Sequence, residues 1–470
     1  MSGSRTDARD WAWAEFGTAA VGDARRKLRL LKMAARLARA PAGKVSEAFW
    51  LDAERQGAYG LLENDGVSPE SIAQAMQSGC ARRCSDQALV VVPVDGSSLN
   101  LAEHNLDKGF GSVGAHARHG RGLKVITAMA VSIDGTPMGV ASQMWWARPA
   151  RRARKHRNTR KVEQKETQHW LDAIAQTRSV FASHAPQTKC WFQLDREGDA
   201  WPLLLQAGEQ GHYTTVRANH DRRVVDPSGC RTFLRRLIET APMLGRYDLH
   251  VSAAPERSKR VARMVVRACT VTLELRDRRT EKHVQTTLNV VWVREDATTP
   301  KGERPIEWLL LTNRSVGTFE QACDVVFAYS QRWRIEDFHR TWKSGACRVE
   351  QTQLRSKESV IKWATLLAAV AARIERIKRL SRAEPDLPAS VEFTAREIRA
   401  VVLLRHGKKA ATILRSGGPT LAQLTRWVAD LGGYTGKSSG GPPGSVTLAR
   451  GLCHVQTAVR TLAALQQEEK

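Results

Sequence analysis

Apolar and polar positions alternate with different periods along this chain, and the period marks out its elements. From Asp23 to Arg39 the spacing is helical: Leu30, Met33, Ala34 and Leu37 form one stripe. Arg25, Arg29, Lys32, Arg36 and Arg39 form a second stripe beside it, roughly 80° wide at about 100° per residue. Asp23 stands where an N-cap belongs. Residues 1–75 read as a small helical module. Strand patterns follow. "ALVVVPVDGSS" (88–98) is an apolar run ending at Asp95, and residues 122–146 are two β-rich runs around an Asp134-Gly135 turn, a hairpin signal. A helix is expected over 163–178, and "KCWFQLDREGDA" (189–200) is a second apolar strand ending at an acid, Asp195. Residues 212–315 are β-rich, with Val271, Leu273 and Leu275 alternating onto one face. Helical periodicity returns near 317 and continues through "VIKWATLLAAVAARIERIKRL" to the chain's end, interrupted by a Gly/Pro/Ser loop at 432–445. The expected architecture is a mixed-sheet α/β core over 76–375, with an inserted β-subdomain at about 212–315, flanked by helical domains at 1–75 and 376–470.

Composition adds a partner to this picture. Lys plus Arg is 73 against 48 for Asp plus Glu, a net charge of +25, and the pI is near 10.2. Such an excess points to a polyanion, and nucleic acid leads because Lys and Arg neutralise phosphates. At 42% hydrophobic residues the chain can fill a core. The eight cysteines are scattered without a CxxC pair, as in a reducing cytosol, and give no zinc site. The N-terminus lacks an apolar signal core, and the longest apolar stretch, Trp363 to Ala372, is too short to cross a bilayer. The expectation is a soluble, cytoplasmic, nucleoid-associated protein with no membrane partner.

Asp95 and Asp195 share a context, each ending an apolar strand before polar or glycine-rich residues. In a mixed sheet the strand carboxyl ends are where sites collect. If the two strands are neighbours the carboxylates converge, and a divalent cation between them relieves their repulsion. A strand-terminal Asp also serves as an ordinary turn or cap residue. Asp134 is accounted for by its turn, and Asp199 by capping the next helix.

The segment "YSQRWRIEDFHRTWKSG" places two tryptophans, two acids and five basic side chains, counting His339, in the fifteen positions from Tyr329 to Lys343. On one helix Tyr329, Arg332, Glu336 and Lys343 fit in an arc of roughly 60°, with His339 and Arg340 flanking it. Ile335, Phe338 and Trp342 cluster on the side that can bury. Spacing leaves two readings of Glu336 open: a metal carboxylate, or the salt-bridge partner of the cations around it. Asp95, Asp195 and Glu336 together could hold two Mg²⁺ ions for phosphodiester cleavage.

At these residues the sequence resembles the DDE transposases of bacterial insertion sequences, specifically the insertion-sequence-four group of the Tn-five type. That family's signature runs Tyr, two residues, Arg, three residues, Glu, six residues, Lys, and Tyr329, Arg332, Glu336 and Lys343 meet it. "DREGD" (195–199), "PKGERPIEWLLLT" (300–312), "GDARRKLRL" (22–30) and "QGAYGLLEN" (56–64) are similar to further family segments, in order. The resemblance implies an RNase H-like core, a catalytic and metal-binding triad of Asp95, Asp195 and Glu336, and two Mg²⁺ ions, with Mn²⁺ substituting. It implies cut-and-paste transposition through a hairpin at the element's ends and strand transfer into target DNA. The partners would be duplex DNA with terminal inverted repeats and a second copy of the chain in a homodimeric synaptic complex. Carried over by position, Arg25, Arg26 and Arg29 lie in a DNA-binding module. Tyr329, Arg332 and Lys343 would grip hairpin phosphates, with His339 and Arg340 beside them, and Trp308 would stack on a flipped base. Read without the resemblance, Trp308 beside Leu309 to Leu311 fits a core position. Pro93 and Gly96 depart from the expected central strand; Pro93 calls for an edge position or a bulge, and Gly96 adds backbone freedom. A basic loop at 147–161 has no counterpart to map onto. Two other functions fit the composition: an RNase H-like nuclease that cuts structured DNA without joining, and a non-catalytic DNA-end-binding inhibitor of transposition.

Overall fold

The run Val90 to Val94 is buried on both sides, and the molecule is arranged around that strand. The structure is a computed structural model describing residues 8–101, 109–114, 120–148, 165–209, 211–277, 280, 283–296, 299–437 and 441–468. Most of the basic loop at 147–161 lies outside these residues. Five helices open the chain: α1 (Ala8–Phe16), α2 (Ala24–Arg39), α3 (Val45–Ala48), α4 (Asp52–Leu62) and α5 (Pro69–Cys84). The Asp23 carboxylate caps α2 by accepting from Arg26 N at 2.8 Å. The first sheet segment is β1 (Leu89–Leu101), β2 (Gly111–Ser112), β3 (Arg121–Val131), β4 (Pro137–Trp146), α6 (Thr167–His184), β5 (Lys189–Leu194), α7 (Trp201–Ala207) and β6 (Tyr213–Arg217). The second is β7 (Arg223–Val225), β8 (Arg231–Phe233), α8 (Leu234–Thr240), β9 (Met243–Val251), β10 (Arg260–Arg276), β11 (His283–Glu295) and β12 (Glu307–Thr312). The helices α9 (Phe319–Ser330), α10 (Trp333–Lys343), α11 (Lys357–Ala383), α12 (Ala395–His406), α13 (Ala410–Arg415), α14 (Leu421–Leu431) and α15 (Ser445–Glu468) complete it.

Among the described residues, twelve strands form one sheet, mostly antiparallel. Its first half runs β4-β3-β1-β5-β6. The β4, β3 and β1 strands are antiparallel neighbours, while β1, β5 and β6 run parallel. The expected hairpin is β3–β4, with Gly135 at φ +90° and the Asp134 carboxylate accepting from Ser132 and Thr136. Strand β12 returns antiparallel to β6 and carries β11, β10, β9, β7 and β8 beyond it. The segment expected as an insertion therefore prolongs the same sheet, and β6 pairs with the first half. In β10, burial passes from Ala262, Met264 and Val266 to Val271, Leu273 and Leu275. The two sets lie on opposite faces of the strand and in separate cores, and the pairing of β10 with β11 continues through them without a shift.

Helices cover both faces of β1. Val90, Val92 and Val94 face α6 and α7, while Val91 and Leu99 face the side shared by the N-terminal helices, α10 and α11. The domain limits expected near residues 75 and 375 fall within α5 and α11. Packing rather than periodicity fixes those limits: α11 is apolar nearly all round and runs from the sheet's core into a C-terminal core of Ile377, Phe393, Val401, Leu424 and Leu452. No described helix is long and apolar enough to cross a membrane. The eight cysteines are free thiols.

Pro93 sits neither at an edge nor in a bulge. It lies in the central strand opposite Gln193 of β5, and on the β3 side the ladder omits Val92 and Pro93 and resumes in the same register at Val94. The missing donor is absorbed by that gap. Gly96 continues the strand opposite Ile126, and its φ is not positive, so the freedom expected of it is unused.

Candidate functional site

Parallel pairing of Val94 with Leu194 brings the next residues, Asp95 and Asp195, to the same end of adjacent strands. Each carboxylate is fixed locally: Asp95 Oδ1 accepts from Gly96 N at 2.9 Å, and Asp195 Oδ1 from Glu197 N at 2.8 Å, capping a short 3-10 turn. The Asp95 carboxyl is pushed up to about 7, first by burial, then by the charge of Asp195, with Glu336 adding to it against the opposing pull of Arg332. The three acids thus share one electrostatic neighbourhood.

Glu336 reaches it from α10. Residues 329–343 do not form the single helix expected of them. α9 ends at Ser330, and α10 starts at Trp333 after a tight turn in which Arg332 N donates to Tyr329 O and Ile335 N to Arg332 O. The two halves keep helical spacing, so sequence periodicity does not reveal the break. Gln331, in that turn, packs against Gly135 of the β3–β4 turn. Ile335, Phe338 and Trp342 are fully buried as expected. Arg332 Nη2 donates to Glu336 Oε1 at 2.5 Å, and its guanidinium stacks over Trp333, 5.1 Å from the ring centre. Tyr329 is buried, which raises its pKa, while Arg332 and Arg217 beside it oppose the rise. Lys343 Nζ lies 3.7 Å from Glu350 Oε1, which also accepts from Asn100 N at 2.8 Å.

Two residues expected to flank this face behave differently from each other. Arg340 is exposed, with Asp337 at 3.5 Å beside it. His339 is buried under β1, its Nδ1 3.8 Å from Asp95 Oδ2 and its Nε2 without a hydrogen-bond partner among the described residues. Burial and the neighbouring Lys343 and Arg332 push its pKa down to about 3, so the ring is neutral. His339 is therefore corrected from a surface cation to a neutral group packed beside Asp95.

Trp308, on β12, is half-buried rather than a core residue, and meets Tyr329 edge-on with ring centres 5.1 Å apart. It lines an apolar cavity of about 270 Å³ together with Tyr247, Met264, Val293 and Phe327. Asp199 does not cap α7; it is buried and accepts from Asn219 N, His220 N and the Arg222 guanidinium. Sequence reasoning sets Glu197 aside because it lies beyond the apolar run that ends at Asp195, yet it approaches Gly96 and bears electrostatically on Lys124 and Arg148. Sequence reasoning passes over Arg217, beside Tyr329. Nothing in their local spacing distinguishes them, since both reach the site through the fold.

The α2 stripe divides along its length. Arg25 and Lys32 are exposed. Arg26 leans on Asp23 at 3.3 Å, and the Arg29 guanidinium lies against Gly57. Arg36 Nε donates to Ala48 O at 3.0 Å, and Arg39 lies 3.9 Å from Glu397 of α12. The expected face of five free cations is thus shortened to its N-terminal part, because protein partners take up the last turn.

Two comparisons bear on this arrangement. Residues 8–67 match the family model described as transposase DNA-binding, which takes in α2 and its stripe. Residues 369–465 match the model described as the transposase Tn5 dimerisation domain, from the middle of α11 through most of α15. Together they support a transposase role, DNA binding and homodimer formation.

Proposed function

We propose that this chain is a cut-and-paste DNA transposase of the DDE type, in the insertion-sequence-four group. The observation that carries the reading is the placement of Asp95 and Asp195 at the same end of paired strands, with the charge of Glu336 bearing on Asp95, in a chain whose flanking segments match DNA-binding and dimerisation modules. The order and directions of β4-β3-β1-β5-β6 support an RNase H-like core. The donor chemistry fits a hard divalent cation such as Mg²⁺ or Mn²⁺: three carboxylic acids, one of them with its ionisation opposed by burial and by the charge of the others. Among the described residues, no three such groups are gathered closely enough to enclose an ion, and Glu336 is held by Arg332. Asp95, Asp195 and Glu336 would hold the two ions, which when bound supply charge to activate water and stabilise a leaving oxygen.

The remaining roles follow from where the side chains stand. Arg25, with Arg26, Arg29 and Lys32 beside it, binds phosphates of the terminal inverted repeats. Arg332, Lys343 and Tyr329 hold the strand next to the acids, and the exposed Arg340 extends that contact. Lys343 must exchange Glu350, and Arg332 must exchange Glu336, for DNA phosphate, so strand binding and release of Glu336 are coupled. Trp308 offers one face to a base extruded at the hairpin, recovering about 1–3 kcal/mol of lost stacking.

The test uses purified protein, Mg²⁺ and labelled duplexes ending in the repeats that flank the gene. Hairpin ends followed by joining to a second DNA support transposition with synapsis. Nicks without hairpins or joining favour the nuclease, and binding without cleavage favours the inhibitor.

A further inference from the structure

Behind Glu336 lies a buried polar contact that the proposed chemistry does not use. Glu375 of α11 is 5% exposed and Thr341 of α10 is 1% exposed. The Thr341 hydroxyl donates to Glu375 Oε1, and Lys378 Nζ donates to both Glu375 oxygens at 2.9 and 2.8 Å. A buried ion pair is a poor way to gain stability, since well-packed apolar residues of the same volume often do as well or better. What it supplies is direction. Ile335, Phe338 and Trp342 press α10 inward, but apolar packing tolerates small rotations better than a hydrogen bond to a fixed carboxylate does.

Thr341 follows Glu336 by five residues, about 140° around the helix. The first is turned to α11 and the second toward Asp95. A rotation of α10 that loosens the Thr341–Glu375 bond therefore swings Glu336 away from the aspartates. Trp342 Nε1, donating to Ala364 O at 3.0 Å, pins α10 to the same helix one residue on. α11 in turn is tied to the β3–β4 turn by Arg379, which donates to Asp134 O at 2.9 Å. It continues through Ile377 and Leu380 into the C-terminal core, inside the segment matched to a dimerisation domain.

We propose that Glu375 is a positioning residue: through Thr341 it sets the rotation of α10, and with it the direction of the Glu336 carboxylate, and it ties that rotation to the helix leading into the dimerisation bundle. This rests on the function proposed above. The test uses the full chain carrying Thr341→Val, Thr341→Ser, or Glu375→Leu with Lys378→Met, the last removing the pair without leaving a buried charge. Cleavage of pre-bound repeat-ended DNA in Mg²⁺, the dissociation constant for that DNA, and hydrogen exchange of residues 333–343 without metal are measured. Thr341→Val and the double variant are expected to slow cleavage of bound DNA about tenfold or more, with unchanged affinity. They should speed exchange in α10 but not in α2, and Thr341→Ser should restore both. Cleavage and exchange matching wild type in Thr341→Val overturn the proposal. So does a loss of cleavage matched by an equal loss of DNA binding, which marks a merely structural contact. If the wild-type protein cleaves no repeat-ended DNA, the transposase reading fails by itself, and the exchange measurement still decides whether Glu375 sets α10.

Discussion

The helices α2 and α10 are both basic and amphipathic, and both read in sequence as cations along one face. The folded chain uses them differently. On α2 the cations Arg25 and Lys32 are exposed, and the acid beside Arg25, Asp23, is an exposed helix cap. At α10 and the turn before it the cations face carboxylates, Arg332 against Glu336 and Lys343 against Glu350, near a pair of strand-end aspartates. A surface stripe binds phosphate by charge alone. Cations set among buried acids can hold a strand where chemistry happens. What separates the two helices is the set of acids beneath them, not their own charge.

The largest effect that could break this contrast comes from the acids. Asp195→Asn keeps the oxygen that accepts from Glu197 N but removes the charge. Cleavage of repeat-ended DNA should fall by at least about a hundredfold while gel-shift affinity stays unchanged; a parallel fall in affinity would make α10's neighbourhood a binding surface like α2.

Next comes a stability effect at the same site. The Asp95 carboxyl in the folded chain titrates near 7, above its ordinary value of 3.8. Its contribution is thus fully favourable below about pH 4 and is lost as pH rises through 7. Without divalent metal, Asp95→Asn should stabilise the protein more at pH 8 than at pH 5, by on the order of 2 kcal/mol. Thermal unfolding at the two pH values checks this, and equal gains would mean that neither burial nor the neighbouring acids raise this carboxyl.

On α2 the expected loss is in binding. Arg25→Ala with Lys32→Ala should weaken DNA binding roughly tenfold and lower the slope of log affinity against log salt by about 2. The cleavage rate of saturated complex should not change. A smaller effect tests the division of the stripe: Arg36→Ala should cost about 1–2 kcal/mol of stability through its bond to Ala48 O, and leave the salt slope alone. A lower slope would return Arg36 to the DNA-binding face.

The sequence made the two aspartates legible because apolar runs locate strand ends, and the order of elements made those strands plausible neighbours. It gave the buried side of α10 through Ile335, Phe338 and Trp342. Long-range contacts escaped it. His339 reads as a flanking cation because periodicity does not reveal that β1 lies over that flank. The turn at Gln331 lies against Gly135, a contact that local spacing does not show, and the loss of Arg36 and Arg39 from the stripe depends on Ala48 and Glu397. Asp199 reads as a cap until residues 219–222 fold back onto it.

The central claim is that Glu336 completes a catalytic site with Asp95 and Asp195, rather than serving as the salt-bridge partner of Arg332. Glu336→Gln keeps the shape and removes the charge, so binding and cleavage of one repeat-ended duplex should be measured together in Mg²⁺. The account predicts affinity within about twofold of wild type and cleavage reduced at least about a hundredfold. Cleavage at the normal rate would contradict it and return Glu336 to an ordinary ion pair.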